Sequence, residues 1–187
     1  MNNAKEILLD SPIIAAVKDD VILEKALSSE CRVIFLLYGS ILTLNQQVQK
    51  IRQHGKLAIV HIDLIEGVSN RDVAVDVVAR FAAPDGIIST KTSHIRRAQQ
   101  LGLVAIQRAF LLDSMSIVSL LAQMESNKPD FIEVLPGILP SIITEITNKV
   151  SVPLIAGGLI RNKQDVIQAL HAGAMAVSTT SQTVWDM

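Results

Sequence analysis

Cysteine occurs once in this chain of 187 residues, at Cys31. One thiol makes no disulfide framework and no zinc site, and that usage suits a reducing cytosol. Aromatic residues are only 3% of the chain, so a ring platform for stacking bases is not expected. Neither sign of charge is in excess, the formal net being −1. A protein that holds nucleic acid by bulk attraction is strongly basic, so any such binding here must come from a local patch. No apolar run reaches the roughly 18–20 residues that span a bilayer. The opening "MNNAKEILLDSPIIAAVKDD" breaks its apolar runs with Lys5, Glu6 and Asp10, so it does not read as a signal peptide. These absences point to a cytoplasmic protein with no membrane partner. What remains is 49% apolar and 19% charged, enough to build a core and too apolar for a disordered chain.

Short apolar runs recur at a near-constant interval: "PIIAAV" from Pro12, "RVIFLLYG" from Arg32, "KLAIVHID" from Lys56, "DGIIST" from Asp85, "LVAIQRA" from Leu103, "FIEVLP" from Phe131, "PLIAGG" from Pro153 and "AMAVSTT" from Ala174. Each is rich in Val and Ile and reads as a buried strand. Helical spacing fills the intervals. In "SNRDVAVDVVARF", Val73, Val77 and Phe81 share one face and Asp72, Asp76 and Arg80 another, with Ser69 or Asn70 as the start. In "NKQDVIQALHAGA", Asn162 is the expected N-cap and Gly173 the stop. Eight alternations without a linker or composition break predict one α/β domain over residues 1–187, a (β/α)8 TIM-type barrel. Such barrels usually run to about 250 residues; tight loops and a truncated final helix, "SQTVWDM", account for the shortage. An open doubly wound sheet is the runner-up.

A barrel carries its functional groups at the C-terminal strand ends. Those ends hold Lys18, Tyr38, Asp63, Lys91, Gln107 with Arg108, Glu133, Gly157 with Gly158, and Thr179 with Thr180. Alternation in "LAIVHID" sets Ile59, His61 and Asp63 on one face, so His61 and Asp63 are expected inside the barrel near its mouth. Gly157-Gly158 after the seventh strand and Thr179, Thr180 and Ser181 after the eighth occupy the barrel's usual phosphate position. Glycines admit an anion to backbone N–H groups, and the start of a final helix near Ser181 adds more of them. The plainer reading of Gly-Gly is a tight turn.

Lys18, Lys91, Asp63 and Glu133 form a second mouth set, suited to a phosphorylated polyol or to a ring of salt bridges. An enzyme reading makes Lys91 or Lys18 a Schiff-base residue, or Asp63 and Glu133 an acid–base pair, as in an aldolase or isomerase on a small phosphorylated substrate. No nucleophile–base–orienter signature accompanies them. His61, Asp63 and Glu66 are a weak set of metal ligands, outweighed by a hydrogen-bonded core histidine. Two basic clusters, Lys91, His94, Arg96 and Arg97, and Lys50, Arg52, His54 and Lys56, suit RNA phosphates or, more simply, solvated helix faces.

Four segments in order, "HIDLIEG", "DGIISTKTSHIRRAQQLGLVAIQRAFLLDS", "KPDFIEVLPGILP" and "PLIAGGLIRNKQDVIQALHAGAMAVSTTSQTVW", resemble the glycerol uptake operon antiterminator regulatory proteins of bacteria. The resemblance runs from Pro12 to Trp185. It implies a barrel that is not an enzyme, has no cofactor, answers to glycerol 3-phosphate as effector and acts on leader mRNA to prevent termination upstream of glycerol-catabolism genes. Gly157, Gly158 and Thr179 to Ser181 then hold the phosphate. Asp63, Glu133 and Lys18 meet the glycerol hydroxyls by inference from strand-end position. Thr180 stands where the family pattern leads us to expect serine; a hydroxyl remains. The face beside the short last helix leaves a homo-oligomer open.

Overall fold

The eight apolar runs form eight parallel strands: β1 (Ile13–Val17), β2 (Val33–Leu36), β3 (Leu57–His61), β4 (Gly86–Ser89), β5 (Val104–Phe110), β6 (Phe131–Leu135), β7 (Leu154–Gly157) and β8 (Ala176–Thr179). The computed structural model describes residues 3–187. Each strand pairs with its neighbour, and β1 pairs with β8, so the sheet closes into a barrel. The doubly wound alternative is thereby excluded. Helices α2 (Asp20–Ser28), α3 (Leu44–Gln53), α4 (Val73–Phe81), α5 (Thr92–Gln100), α6 (Ser114–Ser126), α7 (Pro140–Thr147) and α8 (Lys163–His171) cover the outside. After β8 comes α9 (Gln182–Trp185), a single turn.

Strand alternation sorts the core into two layers. Ile14, Phe35, Ile59, Ile106, Phe131 and Ile155 fill the barrel. Residues one step along, such as Ala58, Val60, Ile132 and Val134, pack outward against helices. Each fully buried Ile or Leu contributes about 1.5–3 kcal/mol. An additional helix, α1 (Asn3–Leu9), lies across the N-terminal end of the barrel. There Ala4 and Leu8 join the interior cluster, and Lys5 pairs with Asp130.

Two helix expectations need correction. The apolar face of α4 that packs inward is Ala74, Val75 and Val78, while Val73, Val77 and Phe81 are exposed. Small residues at 74, 75 and 78 fit close against the sheet, which a bulky Phe81 does not. The helix also starts after Asp72 rather than at Ser69 or Asn70, and no side chain caps it. In α8, by contrast, Asn162 and Asp165 form a reciprocal capping box, and Gly173 takes the left-handed φ of +105° that ends the helix.

Candidate functional site at the barrel mouth

Inward-facing residues at the strand ends enclose a cavity of about 800 Å³. Its floor and inner wall carry Arg108 of β5, Glu133 of β6 and Ser178 of β8. The Arg108 Nε–H donates to Glu133 Oε2 at 2.6 Å. The Ser178 hydroxyl donates to the other Glu133 oxygen. Glu133 is fully buried, and both of its carboxyl oxygens are hydrogen-bonded, as burial of such a group requires. Gly157 belongs to this arrangement. A Cβ there would lie 2.7 Å from Glu133 Oε1 and 2.8 Å from Ser178 Oγ, so the missing side chain makes room for the pair.

The rim beside β7, β8 and β1 is cationic and polar: Lys18, Arg161, Gly158, Thr180 and Ser181 line it. Gly158 and Leu159 take consecutive left-handed φ values of +74° and +60°, unusual for leucine. The turn they make presents Ile160 O to the Thr179 hydroxyl at 2.6 Å. Thr179 Oγ1 in turn accepts the Ser181 N–H at 3.0 Å, and the Ser181 hydroxyl donates to Arg161 O at 2.9 Å. The β7 and β8 loops are thus tied together by hydroxyls. Thr180 differs. It is exposed on the cavity, and among the described residues nothing accepts from its N–H or hydroxyl.

Asp63 is not where alternation along β3 predicts. The strand stops at His61, and a 3₁₀ turn over Ile62–Leu64 swings the carboxylate across to β4. There Asp63 Oδ2 accepts the Thr90 N–H at 2.7 Å and the Thr90 hydroxyl at 3.0 Å, while Oδ1 accepts the Ser89 hydroxyl at 2.9 Å. Burial pushes this carboxyl's pKa up, but the donors from Thr90 and Ser89 outweigh it and hold it below the usual aspartate value. Asp63 does not line the cavity and does not meet Glu133, so the structure does not assemble the acid–base pair. Lys91 is also outside the cavity; its Nζ donates to Asn70 Oδ1 at 2.8 Å.

The end of β4 and the end of β8 are built on one plan. His61 stands opposite Ile88 and Gly157 opposite Ser178 in register, which equates Ser89, Thr90 and Lys91 with Thr179, Thr180 and Ser181. Lys91 N–H donates to Ser89 Oγ at 3.0 Å, the same bond and length as Ser181 to Thr179. The Thr90 amide and hydroxyl hold a carboxylate of the chain itself. Those of Thr180, a residue that lines the cavity, have no partner among the described residues.

The other strand-end residues serve the frame. Tyr38 donates to Asp20 at 2.6 Å. The Gln107 amide donates to Thr90 O at 2.9 Å. His61 is buried, and its Nδ1 meets no partner among the described residues. Burial, with the Arg108 guanidinium nearby, pushes its pKa down to about 4. His61, Asp63 and exposed Glu66 do not converge, and among the described residues no group of three His, Cys, Asp or Glu is placed to hold a metal. The basic clusters are largely engaged internally. Arg97 pairs with Asp76, Lys50 with Glu24, and Lys56 donates to Ser29 O and Cys31 O; Arg96 stays exposed.

Ser178, Arg108 and Arg161 were absent from the set proposed for the ligand. Ser178 was legible in principle, because alternation from Ala176 puts it inward. Arg161 carries no such signal: it enters the mouth only because Gly158 and Leu159 turn the chain.

These features define a class, the (β/α)8 barrel with a cationic, hydroxyl-rich corner at its C-terminal mouth. Within that class the chain belongs to the glycerol-3-phosphate responsive antiterminator family, which matches residues 13–185. It is 42% identical over 181 residues to YgcP of Escherichia coli (strain K12), an uncharacterized protein, covering 97% of this chain and 95% of that one. A glycerol uptake operon antiterminator regulatory protein from Listeria monocytogenes superposes with a TM-score of 0.90 at 36% identity, covering 92% of this chain and 94% of its own. A glycerol uptake operon antiterminator-related protein from Thermotoga maritima gives 0.84 at 30%, covering 95% and 99%. Deoxyribose phosphate aldolase from Aeropyrum pernix, at 15% identity and a TM-score of 0.72, shares the fold. No helix among the described residues is long and apolar enough to cross a membrane.

Proposed function

We propose that this chain is a cytoplasmic effector-binding regulator, not an enzyme, which holds glycerol 3-phosphate at the β7–β8–β1 corner and acts on leader mRNA of glycerol-catabolism operons. One observation carries the site. The Thr180 amide and hydroxyl repeat the donors with which Thr90 holds a carboxylate, and they open onto a cavity where Lys18, Arg161 and Arg108 outnumber Glu133. Gly158 lets the phosphate approach the backbone, and Ser181 flanks it. Thr179 supports the loop, and Gly157 gives room to Glu133. The buried Arg108–Glu133–Ser178 floor offers the glycerol hydroxyls both donors and an acceptor. Asp63 and Lys91 act from outside this set, as frame residues. Family membership carries the regulatory reading. Lys18, the lysine of the cavity wall, makes no hydrogen bond to a carboxyl or histidine among the described residues.

Calorimetric titration with glycerol 3-phosphate, against glycerol and inorganic phosphate, tests the site; the phosphoester alone is expected to bind tightly. A gel-shift assay with leader RNA, with and without the phosphoester, tests the output. Effector control requires that the ligand favour the RNA-competent state. Equal RNA affinity with and without ligand would sink the regulatory reading.

A further inference from the structure

At the floor of the mouth cavity one arginine is held on one side and free on the other. Arg108 Nε donates to Glu133 Oε2 at 2.6 Å, and the second Glu133 oxygen accepts the Ser178 hydroxyl. All three side chains belong to buried residues, at 7%, 0% and 3% exposure. Arg108 lines the cavity, and its two terminal nitrogens make no hydrogen bond among the described residues. They are the donors that the floor leaves for a ligand. We propose that Glu133 sets the specificity of this chamber: paired with Arg108, it leaves a floor that donates hydrogen bonds without net charge, so the chamber selects phosphomonoesters with a neutral, hydroxylated remainder and rejects those that end in a carboxylate. This deepens the effector reading given above and rests on it.

The distribution of charge carries the inference. At the rim, the side chains of Lys18 and Arg161 form no ion pair among the described residues, so two cations are left for a phosphate, which is close to a dianion at neutral pH. At the floor, the one further cation is matched by the one carboxylate of the cavity lining. His61, close enough to feel the Arg108 guanidinium, titrates at about 4 and adds no charge at neutral pH. A ligand with a single dianionic end therefore meets a balanced chamber. A second carboxylate on the ligand would have to approach Arg108 beside the carboxylate that already holds it, and like charges brought together in a desolvated site are strongly disfavoured. An arginine without Glu133 would do the opposite, because its planar fork suits a carboxylate.

A pair that only braced the barrel wall would close fork to fork, two guanidinium nitrogens on two carboxylate oxygens. Here the second oxygen goes to Ser178 instead, and both terminal nitrogens of Arg108 stay unspent. Room for this arrangement comes from Gly157, where a Cβ would lie 2.7 Å from Glu133 Oε1.

Calorimetric titration with glycerol 3-phosphate and with 3-phosphoglycerate tests this, since the two differ only in a hydroxymethyl against a carboxylate at the end remote from the phosphate. Wild type is expected to favour glycerol 3-phosphate at least about 100-fold. Glutamine at 133 keeps the shape and can still accept from Arg108, while the Ser178 hydroxyl turns to accept in its place. Glu133→Gln is therefore expected to keep native circular dichroism and to shrink the ratio at least about tenfold, chiefly by gaining affinity for the acid. Ser178→Ala, which retains the carboxylate, is expected to keep the ratio. Equal binding of the two phosphoesters by wild type overturns the proposal, as does a folded Glu133→Gln variant with an unchanged ratio. If Glu133→Gln loses its fold, the wild-type ratio alone decides. Wild type that binds neither phosphoester sinks the effector reading itself, an outcome distinct from equal binding of both.

Discussion

At the end of β4, the amide and hydroxyl of Thr90 hold the chain's own Asp63; at the end of β8, Thr180 lines an open cavity and the same groups have no partner among the described residues. The two strand ends share register and the same internal turn bond. They differ in what the preceding strand delivers. After β3, a 3₁₀ turn brings in a carboxylate. After β7, Gly158 and Leu159 turn the chain aside and bring in no acid. On the proposed reading, the first site is a filled version of the second. It shows that this donor set favours negative charge even under partial burial, since it holds Asp63 ionised against desolvation.

The comparison breaks most directly at its filled half. Asp63→Ala leaves three donors without an acceptor and is expected to destabilise by about 3 kcal/mol in urea denaturation. Added formate should restore part of this loss in the variant and none in wild type. Failure of that rescue would mean that the β4 end is not an anion nest.

A pH titration of stability sharpens the same half. His61, folded, titrates near 4 instead of the ordinary 6.5. Between those values the unfolded chain binds a proton that the folded chain refuses, so stability falls as pH drops through this window, by up to about 3 kcal/mol. Burial is the main cause, and Arg108 and Asp63 are the charges that act on the ring. His61→Leu should flatten the profile; an unchanged slope would place the sensitivity elsewhere.

The open half yields to two substitutions. Gly158→Asp puts a side chain at φ +74° against Leu135 and a negative charge in the anion's place. It is expected to weaken glycerol 3-phosphate binding at least about 100-fold, or about 2.7 kcal/mol. Thr180→Val keeps the N–H and deletes the hydroxyl. Calorimetry should show roughly a tenfold loss, about 1.4 kcal/mol. Wild-type affinity in Thr180→Val would mean that the likeness to Thr90 does not extend to the ligand.

The barrel itself was legible from the apolar runs, because parallel strands buried on both faces carry continuous Val and Ile whatever the loops do. Part of the cavity lining was legible on the same basis. Gly158, Thr180, Ser181, Lys18 and Glu133 do line the cavity. The rest depends on turns that break the period. Asp63 sits two residues beyond the end of β3, where alternation no longer governs direction. Arg161 reaches the mouth through two left-handed residues, one of them a leucine that carries no turn signal. On α4, the valines looked like a core face because hydrophobicity alone was counted; closeness to the sheet selected Ala74, Val75 and Val78 instead.

Helix α1 makes the barrel a cup rather than a pipe. Ala4 and Leu8 stopper its lower end, and Lys5 latches to Asp130. An effector must therefore enter and leave by one door, and its residence is written only on the lip. Whatever reads occupancy, whether a second copy or a transcript, must listen at that rim or at helices that share its walls.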